Sequence, residues 1–454
     1  MLIASRFVPF LCSMACAMLL TGGGVSAQPA APEETGSNSL GTVRPQLTTE
    51  PTVIAVVQFG VDSNVPLQLD TMPRVIRRDL ELTGFFKMPA DQRAVNSLNI
   101  FDVANSTVNF PEWEKLGVEH YLMGSVSQPS PGELAVRVLL YDIPTRAAVI
   151  NRVIKGSADD PRALAHRISD EVVRFTKFTE GFAQTQLLFV TEQVPGVREV
   201  GIVDSDGFNQ RALTSFQNLV TTPVWGANGT EIYYTSYHGR QAHIYGQLLR
   251  TNQNWKIAGY GGTNHSPDWN QQNGRLLMAL SKDGNSEIYT ADRDGQNLRR
   301  LSQTQFTEGS PTWSPDGSRF LFVSNEAGGA HIFVANADGS GRRRVTTRGS
   351  WNDAPSWSPD GTKIAFVSRI QGVNDIFVID ANGDNNTIKR LTMGQGNNES
   401  PTWAPNSRHL AFSSDRSGSW QIYLMLDDGS NQSQITTSGR NTQPDWGPAP
   451  KMVE

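Results

Sequence analysis

The rhythm of apolar residues changes near residue 185. From 51 to about 180 it is mixed. The β-branched run "TVIAVVQF" reads as a buried strand, and Val75, Ile76, Leu80 and Leu82 fall at helical spacing before a stop at Gly84. Residues 111–127, "PEWEKLGVEHYLMGSVS", read as a short helix, a Gly117 stop and a strand. Val136, Val138 and Leu140 then alternate, with "AAVINRVIKGS" as hairpin partner. Asp160 is a candidate N-cap and Pro161 fits the first helical position, followed by Leu164, Ile168, Val172 and Phe175 along one face. The order βαβ(α)βββα predicts a small α/β or α+β domain.

From Gln186 onward a period takes over. "SPTWSPDGSRFLFVS" at 310–324 returns as "APSWSPDGTKIAFVS" at 354–368 and, more loosely, elsewhere. Tryptophans stand at Trp225, Trp269, Trp313, Trp357, Trp403 and Trp446, spaced by 44, 44, 44, 46 and 43 residues. Each period holds about four short alternating strands, which predicts a β-propeller rather than a helical array. Within the repeat, Ser314-Pro315-Asp316-Gly317 suits a type I turn, and Asp-Gly or Asn-Gly pairs at 206–207, 294–295, 338–339, 382–383 and 428–429 mark outer hairpins. The first strand module, near 187–214, has no tryptophan before it, and Trp446 has no module after it. A ring reconciles the two: the strand of Trp446 completes the blade begun at 187, giving six blades and no open sheet edge.

The N-terminus adds a signal. "MLIASRFVPFLCSMACAMLLTGGGVSAQ" has Arg6, an apolar stretch to Leu20 and small residues before Gln28, the pattern of a cleaved secretory leader over 1–27. Both cysteines, Cys12 and Cys16, lie in it, so the expected fold uses no disulfide. Residues 28–50, rich in Pro, Thr, Ser and Gly, read as a flexible tail. The domains expected are therefore 51–182, α/β, and 183–454, an all-β six-bladed propeller closed by the C-terminal strand. A formal net charge of −5 without basic blocks gives no reason to expect nucleic acid, and no later apolar run is long enough for a membrane span.

Taken together, "VIRRDLELTGFF", "WEKLGVEHYLMGSV", "VLLYDI", "AHRISDEV", "REVGIVDSDGFNQRALT" and the WSPDG series resemble, in order, the motifs of the TolB family, over Thr52 to Gly447. The resemblance implies a periplasmic, non-enzymatic component of the Tol-Pal cell-envelope system. Such a protein binds the lipoprotein Pal through its propeller and the inner-membrane protein TolA through its N-terminus, and supports outer-membrane integrity and envelope constriction at division. Colicins dock on the propeller in some members. The tail at 28–50 is longer and richer in proline than the short alternating strand usual there.

The loops before each inner strand read "QNLVTTP", "GGTNHSP", "TEGSP", "WNDAP", "GNNESP" and "GRNTQP". Asn264, His265, Glu308, Asn352, Asp353, Asn398, Glu399 and Asn441 recur at one level, and a polar, partly acidic ring at the channel mouth is expected there. The resemblance assigns this ring to Pal recognition, although a solvated loop histidine is the simpler reading of His265. The six tryptophans are expected to pack between blades.

No G-x-S-x-G, H-E-x-x-H or G-K-[ST] is present and no Cys pair follows residue 27, and with eight residues after Trp446 no hydrolase domain is expected. "DSDG" at 204 and "DRDG" at 292 fail as calcium loops, with Phe208 and Gln296 at the fifth position of the loop, so no metal or cofactor is called for. Arg342-Arg343-Arg344 reads as an exposed outer-strand run, Trp113 as core and His120 as surface. The competing reading is a periplasmic carbohydrate- or peptide-binding propeller.

Overall fold

The computed structural model describes residues 50–448 apart from 63–64, 66–70, 92, 99–107 and 239–240. The expected leader and the tail up to residue 49 lie outside the described residues.

The first part of the chain folds as one mixed sheet with helices against it. Its elements are β1 (Thr52–Val56), β2 (Gly60–Val61), α1 (Thr71–Leu82), β3 (Phe86–Lys87), α2 (Phe110–Lys115), β4 (His120–Ser130), β5 (Glu133–Asp142), β6 (Ala147–Ser157) and α3 (Pro161–Lys177). The sheet order is β3-β1-β4-β5-β6, with β2 beside β4. β1 runs parallel to both neighbours, which explains its continuous apolar run: Ile54 and Ala55 are fully buried. The Asp160 carboxylate caps α3 by accepting from Ala163 N at 3.0 Å. Gly156 on β6 has no side chain, so Leu164 of α3 packs directly onto the strand. Trp113 stacks on Tyr121 at 4.4 Å between ring centres, in the core as expected. His120 departs from expectation: it is half-buried beside Asp142, and burial lowers its pKa.

The rest of the described chain makes six four-stranded antiparallel sheets. Their innermost strands are Leu219–Trp225, Asn264–Asn270, Glu308–Trp313, Asn352–Trp357, Asn398–Trp403 and Arg440–Trp446, taken here as strand a of blades 1 to 6. In blade 6, strand a pairs with Gln186–Val194, Asn441 lying opposite Thr191 and Trp446 opposite Leu187. The C-terminal strand therefore closes the ring. Four of the six tryptophans are buried, and Trp225 and Trp269 are half-buried. Several indoles bond to the preceding blade: Trp225 Nε1 donates to Asp445 O, Trp313 Nε1 to Arg275 O and Trp403 Nε1 to Ser356 O, each at 3.2 Å.

The antiparallel order a-b-c-d places the a–b and c–d turns at one end of every blade and the b–c hairpins and d–a loops at the other. The α/β domain sits on the first end, against blades 5 and 6. Asn431 Nδ2 donates to Glu81 O and Leu82 O at 3.2 and 3.0 Å, and Asn406 Nδ2 to Glu180 O at 3.2 Å. Arg162 pairs with Asp206 in the c–d turn of blade 6. Phe182, 2 % exposed, wedges between His409 and Trp446, and burying such a ring is worth about 2–3 kcal/mol. These contacts lie on the a–b and c–d face, opposite the b–c and d–a face that carries the mouth loops.

The arginine run is not uniformly exposed. Arg342 turns inward to Glu308 and Glu326, and Arg344 approaches His331 while donating to Thr346 O, so only Arg343 is exposed. Strand alternation sends neighbouring side chains to opposite sides, which a count of charges along the sequence ignores.

Candidate binding face and channel

Every strand a carries the same irregularity. Pairing with strand b slips between Thr221 and Val224, His265 and Asp268, Gly309 and Thr312, Asp353 and Ser356, Glu399 and Thr402, and Thr442 and Asp445. Inside each slip is a residue with left-handed backbone, Thr222, Ser266, Ser310, Ala354, Ser400 or Gln443, at φ 47° to 53°, followed in each case by proline. A proline has no N–H for the ladder, so within a strand it belongs at a bulge. Six bulges around one axis turn the a-strands' polar groups toward a central cavity of about 470 Å³.

The bulge fixes which of the expected ring residues reach that cavity. Asp353 and Glu399, four positions before their tryptophans, line it. His265 occupies the same position in blade 2 and is half-buried, with Nδ1 3.0 Å from Ser266 Oγ and its pKa lowered by burial. Asn264, Glu308, Asn352, Asn398 and Asn441 sit one residue earlier and are 0–1 % exposed. Adjacent strand residues face opposite sides, so these five cannot share a ring with the other three. The asparagines are clamps instead. Asn264 Nδ2 donates to Ala242 O and Tyr260 O at 3.0 and 2.8 Å. Asn398 Nδ2 reaches Asp375 Oδ1 and Gly396 O, both at 3.1 Å, and Asn441 Nδ2 reaches Gln421 Oε1 and Ser438 O, both at 2.8 Å. Asn352 Nδ2 donates to Arg348 O at 3.1 Å, and Glu308 is held by Arg342. The expectation of one eight-membered docking ring is corrected accordingly.

Two further carboxylates, missed in the sequence, lie deeper in the cavity. Asp268 Oδ2 accepts from Trp313 N at 2.7 Å, and Asp445 Oδ2 from Trp225 N at 2.8 Å, each linking its blade to the next. Both touch the lumen but are enclosed by protein, and burial raises each pKa to about 7. The signal was present: "SPDW" and "QPDW" place aspartate before tryptophan where other repeats have Val, Thr or Ser. Nearer the mouth, Ser310 Oγ donates to Asp353 Oδ1 at 2.8 Å and Asn374 Nδ2 to Glu399 Oε1 at 2.6 Å; burial raises both carboxyl pKa values. Arg369, over the Trp351 ring at 4.7 Å, is the one cation among the lining residues. The lumen is acidic, with one arginine at its edge.

An α/β domain seated on one face of a closed six-bladed propeller, with an acidic cavity flanked by free loops, defines a two-domain propeller class. Residues 174–355 and 350–453 match the family model described as the TolB beta propeller domain, and residues 46–149 match the TolB amino-terminal domain. The chain belongs to the TolB family. It is 27 % identical over 244 residues to the Tol-Pal system protein TolB of Rickettsia felis, covering 52 % of this chain and 54 % of that one. The Tol-Pal system protein TolB of Bordetella avium is 28 % identical over 252 residues, 55 % of each chain. The chain thus spans about half the length of the curated relatives it matches. The crystal structure of TolB from Acinetobacter baumannii superposes with a TM-score of 0.77 at 23 % identity, over 88 % of this chain and 97 % of that one, and shares the fold. No described helix is long and apolar enough to cross a membrane.

Proposed function

We propose that this chain is a non-enzymatic periplasmic scaffold of the Tol-Pal envelope system. It binds the lipoprotein Pal on the b–c and d–a face of the propeller and TolA through residues 28–50. The observation that carries the reading is the arrangement of the faces. The α/β domain occupies one face, while the other presents Asp353, Glu399 and Arg369 around an acidic cavity. Charged groups at a rim steer and orient a partner, and the bulged a-strands hold them on a rigid frame. Of the eight residues first assigned to recognition, His265, Asp353 and Glu399 remain as candidate contacts. The other five support them from behind.

Calorimetric titration of the mature protein with the soluble domain of its cognate Pal tests the proposal, and no binding by the folded protein contradicts it. Deleting residues 28–49 is expected to abolish TolA binding while leaving the propeller folded. Colicin docking, where it occurs, is expected on the same face and in competition with Pal.

A further inference from the structure

Away from the channel, the seam between the α/β domain and blade 6 brings three ligand-type side chains together from three separate elements. Asp79 lies on α1, His166 on α3 and Asp206 in the c–d turn of blade 6. Each offers a ligand atom, and these atoms all lie within 4.8 Å of one another. Asp79 and His166 are 2 % and 6 % exposed. His166 Nδ1 is 2.8 Å from Asp79 Oδ2, which also accepts from Ser169 Oγ at 2.7 Å. Two buried atoms of this cluster, Asp79 Oδ1 and His166 Nε2, have no hydrogen-bond partner among the described residues. Such atoms are rare in folded proteins, and two on touching residues call for a common explanation.

The local charge points the same way. Asp79 and Asp206 are joined by Asp170 on α3, half-buried, with its carboxylate accepting from Ala183 N and Gln184 N at 2.8 and 3.2 Å. Against these three carboxylates stands Arg162, which pairs with Asp206 and lies over the Phe208 ring at 3.9 Å. The cations facing these carboxylates are Arg162 and, when protonated, His166, so an ion bound at the cluster takes the place of the imidazole's proton.

We propose that Asp79, His166 and Asp206 form a binding site for a divalent cation of the zinc class at the seam between the two domains. An imidazole with two carboxylates suits zinc better than calcium or magnesium, which prefer all-oxygen shells. The unpartnered Asp79 Oδ1, or a water, completes the shell. Because two ligands come from the α/β domain and one from the propeller, the ion binds the docked arrangement and not the separated one, and so stabilises docking by mass action. Arg162 opposes the ion electrostatically and sets its affinity. This inference does not depend on the Pal reading.

The test uses the full mature chain, stripped by chelator and titrated calorimetrically with zinc chloride, with calcium chloride in a parallel arm to report on the channel carboxylates. One equivalent of zinc is expected, with a rise in Tm. His166→Gln and Asp206→Asn should each weaken zinc binding at least tenfold, whereas Glu399→Gln in the channel should not. Arg162→Gln keeps all three ligands and should bind zinc as tightly or more tightly. If His166→Gln does not fold, Asp206→Asn, a near-isosteric change in the c–d turn of blade 6, carries the test. Absence of zinc binding, or an equivalent of zinc unaffected by His166→Gln and Asp206→Asn, overturns the proposal.

Discussion

His409 of blade 5 donates from Nε2 to the carbonyl oxygen of Thr83 at 2.8 Å, so a propeller side chain satisfies the backbone just beyond the C-terminal end of α1. The imidazole is fully buried between Phe85 and Phe182, at ring separations of 5.5 and 4.6 Å, and burial lowers its pKa to about 4. The folded protein therefore keeps His409 neutral where an unfolded chain, with a histidine pKa near ~6.5, takes up a proton. Its contribution is fully present above pH ~6.5 and is lost as pH falls through about 4, a change of about 3 kcal/mol. Urea unfolding from pH 7.5 to 4 should show this slope in the wild type. His409→Gln should start less stable and lose less on acidification.

Asp268 and Asp445 titrate with the opposite sign. With folded pKa values of about 7, each keeps a proton between pH ~4 and 7 that the unfolded chain has released, so stability falls as pH rises through that window. An asparagine at either position can still accept the N–H of Trp313 or Trp225. Asp268→Asn and Asp445→Asn should each gain about 1–2 kcal/mol over wild type at pH 8, allowing for water in the lumen, with the advantage falling to nothing as the pH approaches ~4. Thermal melts at the two pH values measure it.

The buried asparagines are expected to answer to stability rather than to binding. Asn398→Ala removes the donors to Asp375 and Gly396 and takes from Arg416 the Asn398 Oδ1 acceptor at 2.8 Å, leaving it Ser414 and Gln432. The expected loss is about 1–3 kcal/mol in denaturant unfolding, with Pal affinity unchanged at temperatures where the variant is folded.

At the mouth the expectation is reversed. Glu399→Lys and Asp353→Lys should weaken Pal binding by about ten- to a hundredfold, with a salt dependence different from wild type, whereas Arg343→Glu on the outer rim should leave it within about twofold. Titrations at two ionic strengths separate these outcomes.

Much of the architecture was legible because it rests on periodicity. The tryptophan spacing, the Asp-Gly turns and the unmatched first and last copies define six blades and their closure without any tertiary knowledge. The helix stops at Gly84 and Gly117 were readable too, since both glycines have φ +67°. What escaped was parity. Asn398 and Glu399 are adjacent in sequence and suggest one ring, yet one is buried between the Asp375 carboxylate and the Gly396 carbonyl and the other lines the cavity. The proline two residues before each tryptophan signalled a bulge, and placing that bulge would have separated the clamps from the contacts. The Asp79, His166 and Asp206 cluster was invisible for another reason: its members are 87 and 40 residues apart in sequence and meet only where the two domains dock.

The central claim, that the partner is held over the channel mouth and not on the face carrying the α/β domain, is tested most directly by hydrogen exchange with and without saturating Pal. The account predicts slowed exchange at residues 351–356 and 397–401. Protection confined to 404–409 and 427–431, with the mouth loops unchanged, would contradict it.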